Sequence, residues 1–422
     1  MNYLGSIEES AISVNANKVI SRLQENGFQA YLVGGCIRDL LLRKTPKDFD
    51  IATDAKPEEV RDLFRNSLII GKRFRIVHVR FGREIIEVTT FRGPHADDYD
   101  ENHSDSGMTL NDNVYGTFEE DVFRRDFTMN AIYYEPRERD ITDLADGTAD
   151  IESQIIRTIG DPTGRLREDP VRMLRAIRFQ AKLEFSLEPG LESSIRSLGH
   201  LLQDVPSARL FEEVLKLFLS GYGTAAFDSM MENDIYGWLF PDSKRSMKNN
   251  ATEELVRLAL TSTDQRIAKQ KPVTPAFIYA AVLWYPFIEE KGRLEQEGEM
   301  TYAAAHEAAN NVISKQQLFT SIPKRFSGPM RDIWFLQSRL PSRFGQKPDR
   351  TMEHKRFRAA YDFLLLREQA GEKTEQLGEW WTEYQEATDE RKLAMKQSNS
   401  NGRQRKRKAR PKASTNDKAS SN

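Results

Sequence analysis

The sequence predicts an α+β protein: a strand-rich head, an all-helical continuation and a basic tail with nothing to bury. Three observations carry this reading. Up to about residue 150, short apolar runs alternate with the period of strands between glycine turns, whereas beyond Ile151 apolar residues recur at helical spacing almost to the end. From Met395 onward Ser, Asn, Lys and Arg dominate, and disorder is expected there. A chain of 422 residues exceeds one small core, so two or three subdomains are expected.

Taken in order, residues 1–13 read as a flexible leader. Val14 to Asn26 reads as a helix with Val19, Ile20 and Leu23 on its apolar face and Gly27 at its end. Tyr31 to Val33 has strand character, Gly34-Gly35 follows as a turn, and Ile37, Leu40 and Leu41 mark a short helix. Lys56 to Phe64 puts Pro57 at a helix start, acids in the first turn and an apolar stripe at 60, 63 and 64. Phe74 to Phe81 alternates but changes parity between Ile76 and Val77, which predicts a bulge or edge twist. Glu84 to Phe91 alternates cleanly, and Ile141 to Leu144 offers one more short strand. The expected head is a small mixed sheet with helices on one face. Pro94 to Asp112, rich in Asp, Asn, Ser and Gly, reads as a mobile loop.

The formal net charge of −2 conceals a polarised chain. Arg403 to Lys412 is a dense basic run, while residues 97–105 hold five acids in nine positions. The single cysteine, Cys36, excludes an internal disulfide and suits a reducing compartment. No secretory pattern opens the chain and no run of 18 apolar residues interrupts it, so a soluble cytoplasmic protein is expected.

The chemistry concentrates in residues 31–54. Strand, glycine turn and helix bring unpaired N–H groups close to any ligand, so Gly34, Gly35 and Arg38 read as a triphosphate cradle, against the alternative of an ordinary tight turn. Asp48 and Asp50 share one side of a strand while Phe49 and Ile51 fill the core. Parallel carboxylates repel unless a cation lies between them, and Mg²⁺ takes oxygen ligands and bridges to substrate phosphates. Two such ions suit phosphoryl transfer.

Gly34-Gly35-x-x-Arg38-Asp39 followed by Asp48-x-Asp50 resembles the class II nucleotidyltransferases, which include the tRNA CCA-adding enzymes and the bacterial poly(A) polymerases. Ile69 to Val79, Glu119 to Asn130 and Arg167 to Phe179 continue the match. The resemblance is strong over residues 16–220 and weaker to about 390. It implies a polymerase β-like nucleotidyltransferase head at 14–153, a neck at 154–220 with base-recognition and RNA-binding helices, an RNA-binding body at 221–394 and a basic tail at 395–422. A third carboxylate, Glu119 or Asp121, would complete the metal site, and Glu87 is a further candidate if its strand lies beside that of Asp48. By resemblance Arg124 or Arg125 contacts the nucleotide and Asn130 shapes its pocket.

Asp169, Arg172, Arg175 and Arg178 recur every third residue after Pro170, so neighbouring members share a helix face. A carboxylate beside a guanidinium can read a base: Asp169 accepts from the amino group of adenine or cytosine and Arg172 donates to the ring nitrogen, while guanine and uracil present the reverse polarity. This pair leaves addition of A alone and addition of C and A both open. The stretch from Gly71 to Val79, with Lys72, Arg73 and Arg75, resembles the poly(A) polymerases and favours A alone; those cations face RNA phosphates or decorate a strand edge.

Arg209 reads as a helix-cap or salt-bridge partner of Glu212 or Glu213. Trp284 and Trp334 are expected to pack inside. Arg403, Arg405, Lys406, Arg407 and Lys408 suit phosphate binding or docking to RNA-decay proteins. The expected activity is template-independent addition of AMP from ATP to RNA 3′ ends by a monomer. A CCA-adding enzyme and a non-catalytic RNA-binding protein are the alternatives.

Overall fold

The computed structural model describes residues 7–71, 75–93 and 114–397. The readings placed on the leader before residue 7, on Lys72 and Arg73, on the whole Pro94 to Asp112 loop and on the basic run lie outside the described residues. The chain divides into two compact units, Met1–Leu217 with Ala225–Leu239, and Phe218–Thr224 with Phe240–Asn422.

The first unit begins with α1 (Val14–Glu25), where Ser13 accepts from the N–H groups of Asn15 and Ala16 and Ala16, Val19, Ile20 and Leu23 are buried. It then alternates β1 (Ala30–Val33), α2 (Gly35–Leu41), β2 (Asp50–Thr53), α3 (Pro57–Leu63), β3 (Ser67–Ile70), β4 (Ile76–Phe81) and β5 (Glu84–Thr90). After α4 (Phe118–Arg124), β6 (Ile132–Glu135) and β7 (Asp140–Asp143) complete a seven-stranded sheet of order β3-β4-β5-β2-β1-β6-β7. Only β2 and β5 pair in parallel; the other neighbours are antiparallel.

Two expectations change. The parity break in β4 is no bulge, because Ile76 to Val79 keeps continuous register with β3 and Val77 to Phe81 with β5. Val77 and Val79 point into the core and Ile76 is half-buried beside Ile70, so the apparent slip is one apolar residue on the outer face. The edge belongs instead to β3, whose residues are only partly covered and show no alternation. Nor is the second face of the sheet bare. Val33, Ala52, Phe91 and Tyr133 pack there with Val122 of α4, with Tyr31 and Phe118 against them. The rings of Phe118, Tyr31 and Tyr133 lie 4.7–6.1 Å apart.

Beyond α5 (Gly147–Glu152) the unit is helical apart from the two-residue strands β8 (Ile155–Ile156) and β9 (Ser186–Leu187). The helices are α6 (Pro162–Glu168), α7 (Val171–Leu183), α8 (Pro189–Leu198) and α9 (Ser207–Phe218). The second unit is helical among its described residues. Its core stacks Phe287 on Trp334 at 4.6 Å, and Trp334 Nε1 donates to Ala280 O at 3.0 Å. Trp284 and Trp334 are buried as expected, and so is Trp381, which donates to Leu340 O.

Candidate active site

The sheet register assembles the acidic centre. Asp50 opens β2 opposite Val33 of β1 and in parallel register with Glu87 of β5, so both carboxylates fall on the face that α4 covers. Phe49 and Ile51 are buried, as the alternation requires, while Asp48 sits exposed in the bend just before the strand. Burial and the charge of Glu87 push the Asp50 carboxyl up to about 6, against the pull of Arg125 and with a further push from Asp48. Asp50 therefore feels two acids, Glu87 in register beside it and Asp48 from the preceding bend, against Arg125. His78 Nε2 lies 3.2 Å from Glu87 Oε1 but out of line for a hydrogen bond.

Gly34 caps α2 with φ +81° and ψ −135°, a conformation that side-chain-bearing residues avoid. A Cβ placed on it would lie 3.9 Å from Arg125 Nη1 and from Asn130 O, and 4.0 Å from Asp50 Oδ2. The glycine turn, the acidic centre and the α4 arginines thus share one small space.

Arg38 flanks the turn, its Nη2 3.5 Å from a Cβ placed on Gly35, but its donors are engaged. The side chain is 3% exposed and spends its donors within the protein, Nε and Nη2 on Asp39 Oδ1 at 2.9 and 2.6 Å and Nη1 on Asn130 Oδ1 at 2.7 Å. Asn130 Nδ2 in turn donates to Asp126 Oδ1 at 3.3 Å, and Arg175 Nε donates to Asp126 Oδ2 at 2.7 Å. One hydrogen-bonded chain, Asp39–Arg38–Asn130–Asp126–Arg175, buried at its Arg38 end, ties the glycine turn to α7.

Asp121 is likewise engaged. Its Oδ1 accepts from the Arg92 N–H and Arg124 Nε, both at 3.2 Å, and its Oδ2 accepts from Arg125 Nη2 at 2.9 Å and the Tyr133 hydroxyl at 2.5 Å. Burial opposes its charge, yet Arg125 and Arg124 hold its carboxyl down at about 2. Glu119 is exposed in the first turn of α4. Neither acid joins Asp50 as Glu87 does.

At the base-reading pair, Asp169 Oδ1 accepts from the Val171 N–H at 3.2 Å and Oδ2 from Arg209 Nη2 at 2.7 Å. This corrects the expected partners of Arg209, which crosses from α9 to Asp169 rather than pairing within its own helix. Glu213 is taken by Lys216 at 2.7 Å and Arg178 at 3.7 Å. Arg172 Nη1 donates to Glu168 Oε2 and to Arg165 O, each at 2.7 Å. Arg165 Nη2 caps α4 through the carbonyls of Arg124 and Arg125. Arg38, Arg175 and Arg178 all lie over the Phe179 ring, at 5.0–6.0 Å. Arg75 pairs with Glu58 at 2.5 Å on the surface.

The contacts of Tyr133, Arg165 and Asp126 had no role in the sequence reading beyond the motif that contains Asp126. They join positions 12–49 residues apart, and no local pattern marks them.

A seven-stranded mixed sheet that gathers Asp48, Asp50 and Glu87 beside a glycine turn and a helix end defines the class as a nucleotidyltransferase. Among solved structures, a tRNA-processing enzyme in an apo form shares the fold at TM-score 0.59 and 18% identity, over 94% of this chain and 98% of that one. The family model of the poly A polymerase head domain matches residues 30–157. Models of a probable RNA and SrmB binding site of polymerase A and of the polymerase A arginine-rich C-terminus match residues 184–247 and 297–414. Poly(A) polymerase I of Haemophilus influenzae is 46% identical over 389 residues, 90% of this chain and 86% of its own length. A CCA-adding enzyme of Lactobacillus helveticus is 38% identical over 224 residues, 53% of this chain. The chain belongs to the bacterial poly(A) polymerase family.

Proposed function

We propose that this protein is a template-independent polynucleotide adenylyltransferase that adds AMP from ATP to RNA 3′ ends, releases pyrophosphate and so serves RNA polyadenylation and decay. The single observation that carries the chemistry is the acidic centre, Asp50 with Glu87 in register and Asp48 just before the strand, only partly offset by Arg125, against the Gly34-Gly35 turn. Among the described residues no group of three or more His, Cys, Asp or Glu is placed to hold a metal ion by itself. An open pair of carboxylates is what Mg²⁺ needs when substrate phosphates supply further oxygens. Asp48 and Asp50 are the proposed ligands of two Mg²⁺ ions, which when bound lower the pKa of the attacking hydroxyl and offset charge on the leaving pyrophosphate.

Glu87, in register with Asp50, is proposed as the third carboxylate in place of Glu119 or Asp121. Gly34 and Gly35 offer backbone to the triphosphate. Arg38 acts through Asn130, holding the pocket wall, while Arg125, anchored by Asp121 and Tyr133, presents its guanidinium beside Gly34. For the base, Asp169 and Arg172 are the readers, and Arg209 and Glu168 set their orientation. Arg175 and Arg178 brace α7 against Asp126 and Glu213. The tail cations Arg403, Arg405, Lys406, Arg407 and Lys408, with Lys72, Arg73 and Arg75, are proposed RNA contacts. Monomeric state, cytoplasmic location and contact with RNA-decay proteins belong to this proposal; the described residues include no helix long and apolar enough to cross a membrane.

Primer extension tests it, with ATP or CTP supplied singly on an unstructured oligo(A) and on a tRNA lacking its last three nucleotides. Long ladders on oligo(A) with ATP and almost nothing with CTP are expected. Two additions with CTP and arrest at three with both nucleotides would make it a CCA-adding enzyme.

A further inference from the structure

The second unit contains a cleft of about 240 Å³ that the chemistry above does not use. Three elements form its walls: the C-terminal half of the helix Asn250–Ala268, the start of the helix Pro275–Val282 and the first turn of the helix Phe357–Gln369. The lining includes four cations, Arg266, Lys355, Arg356 and Arg358, against one acid, Asp362.

The cations differ in what they have left to give. Arg358 pairs with Asp362 at 3.0 Å, and Arg266 is held at the rim by the Pro272 carbonyl at 3.0 and 3.3 Å. Arg356 is half-buried, and its Nε is enclosed with no hydrogen-bond partner. An enclosed guanidinium N–H without an acceptor is costly, and the cleft beside it is where an acceptor fits. Neighbouring Lys355 is exposed, and no carboxylate among the described residues forms an ion pair with it at 4.0 Å or less. The opening turn of a 13-residue helix adds positive potential to the same wall.

The opposite wall is of another kind. Pro272, Val273 and Phe277 are apolar, and Phe277 is half-buried, edge-on to Phe363 at 6.1 Å. A bare phosphate uses only the cationic side, whereas a nucleotide unit uses both. Sequence-tolerant binding of single-stranded RNA combines these elements, cations for the backbone and an aromatic ring for a base.

We infer that this cleft is a second binding site for single-stranded RNA, taking a backbone phosphate on Lys355 and Arg356 and an adjoining base on Phe277. The inference rests on RNA being the substrate. An RNA chain held there as well as at its 3′ end stays bound between additions, so the site serves affinity for long primers and leaves chemistry at the 3′ end unchanged.

The test uses the full chain and fluorescence anisotropy of labelled oligo(A) primers of several lengths, with the KM for ATP measured alongside. Lys355→Glu combined with Arg356→Gln is expected to weaken long primers about tenfold, leave the KM for ATP unchanged and lower the salt slope of log K by about one to two. Phe277→Leu, which keeps an apolar side chain, is expected to weaken binding about threefold or more with the salt slope unchanged. A charge-matched control, Lys324→Glu with Arg325→Gln at the exposed start of the helix Lys324–Gln337 elsewhere in the unit, is expected to have a much smaller effect. Equal losses in the cleft and control variants would overturn the site in favour of diffuse attraction. A raised KM for ATP with intact RNA affinity would overturn it in favour of a free-nucleotide site. Melting temperature identifies a misfolded variant, in which case Lys355→Glu alone and Phe277→Leu decide. Wild-type extension of oligo(A) in the same assay keeps the adenylyltransferase reading separate: that reading fails only if wild type adds no AMP.

Discussion

Two sets of acids lie within the same head, and the protein treats them in opposite ways. Asp121 and Asp126 are surrounded by arginines: Arg124, Arg125 and Arg175 hold both carboxyls below the usual range, Asp121 at about 2. Asp50 meets Glu87 and Asp48 instead, and its carboxyl rises to about 6. A carboxylate neutralised by its own protein is a structural anchor. One left with surplus negative charge awaits a cation from outside, and this contrast divides the acids of the head by role more sharply than their positions in a motif do.

The contrast is easiest to break at Asp50. Asp50→Ala is expected to lower kcat for AMP addition by at least about a thousandfold, checked by single-turnover primer extension. Its folded state should survive, since a repelled charge is removed. Next comes Glu87→Gln, with an expected loss of about a hundredfold, set against Glu119→Gln, which should stay within about twofold of wild type. The reverse ranking would return the third carboxylate to α4.

Asp121→Asn should act on stability rather than chemistry. It leaves Arg125 without its ion pair in a nearly closed setting, at a cost of about 3 kcal/mol measured by denaturant unfolding. The pH dependence has a definite sign. The Asp121 carboxyl is depressed in the folded state, so its stabilisation is complete above the unfolded value of about 4 and is lost as pH falls through about 2. Acid unfolding of wild type and Asp121→Asn should therefore converge towards pH 2. The smallest effect is expected at the Arg75–Glu58 pair, where Arg75→Gln should leave the denaturant midpoint unchanged within error, because both partners are substantially exposed.

What the sequence made legible was local. Strand, glycine turn, helix and the Asp48-x-Asp50 pair lie within 24 residues, and both the conformation of Gly34 and the burial of Phe49 and Ile51 follow from neighbours in the chain. Glu87 entered only as a conditional candidate because its place depends on the parallel pairing of β2 with β5, which no local period encodes. The β3 edge escaped for lack of alternation. Arg209 was assigned to its own helix because i,i+3 and i,i+4 partners are the ones spacing can suggest, whereas Asp169 lies 40 positions away. A cation after a glycine turn reads as a phosphate ligand, whereas the contact of Arg38 with Asn130, 92 positions away, is a tertiary fact.

The most direct test of the central claim is the melting temperature of wild type and Asp50→Asn with and without Mg²⁺. Without the ion the variant should melt higher than wild type, because the repulsion with Glu87 is gone. On adding Mg²⁺ the wild type should rise by several degrees while the variant barely moves. Equal responses of the two proteins to Mg²⁺, with the metal-free variant no more stable than wild type, would contradict the assignment of Asp50 as the carboxylate that awaits a cation.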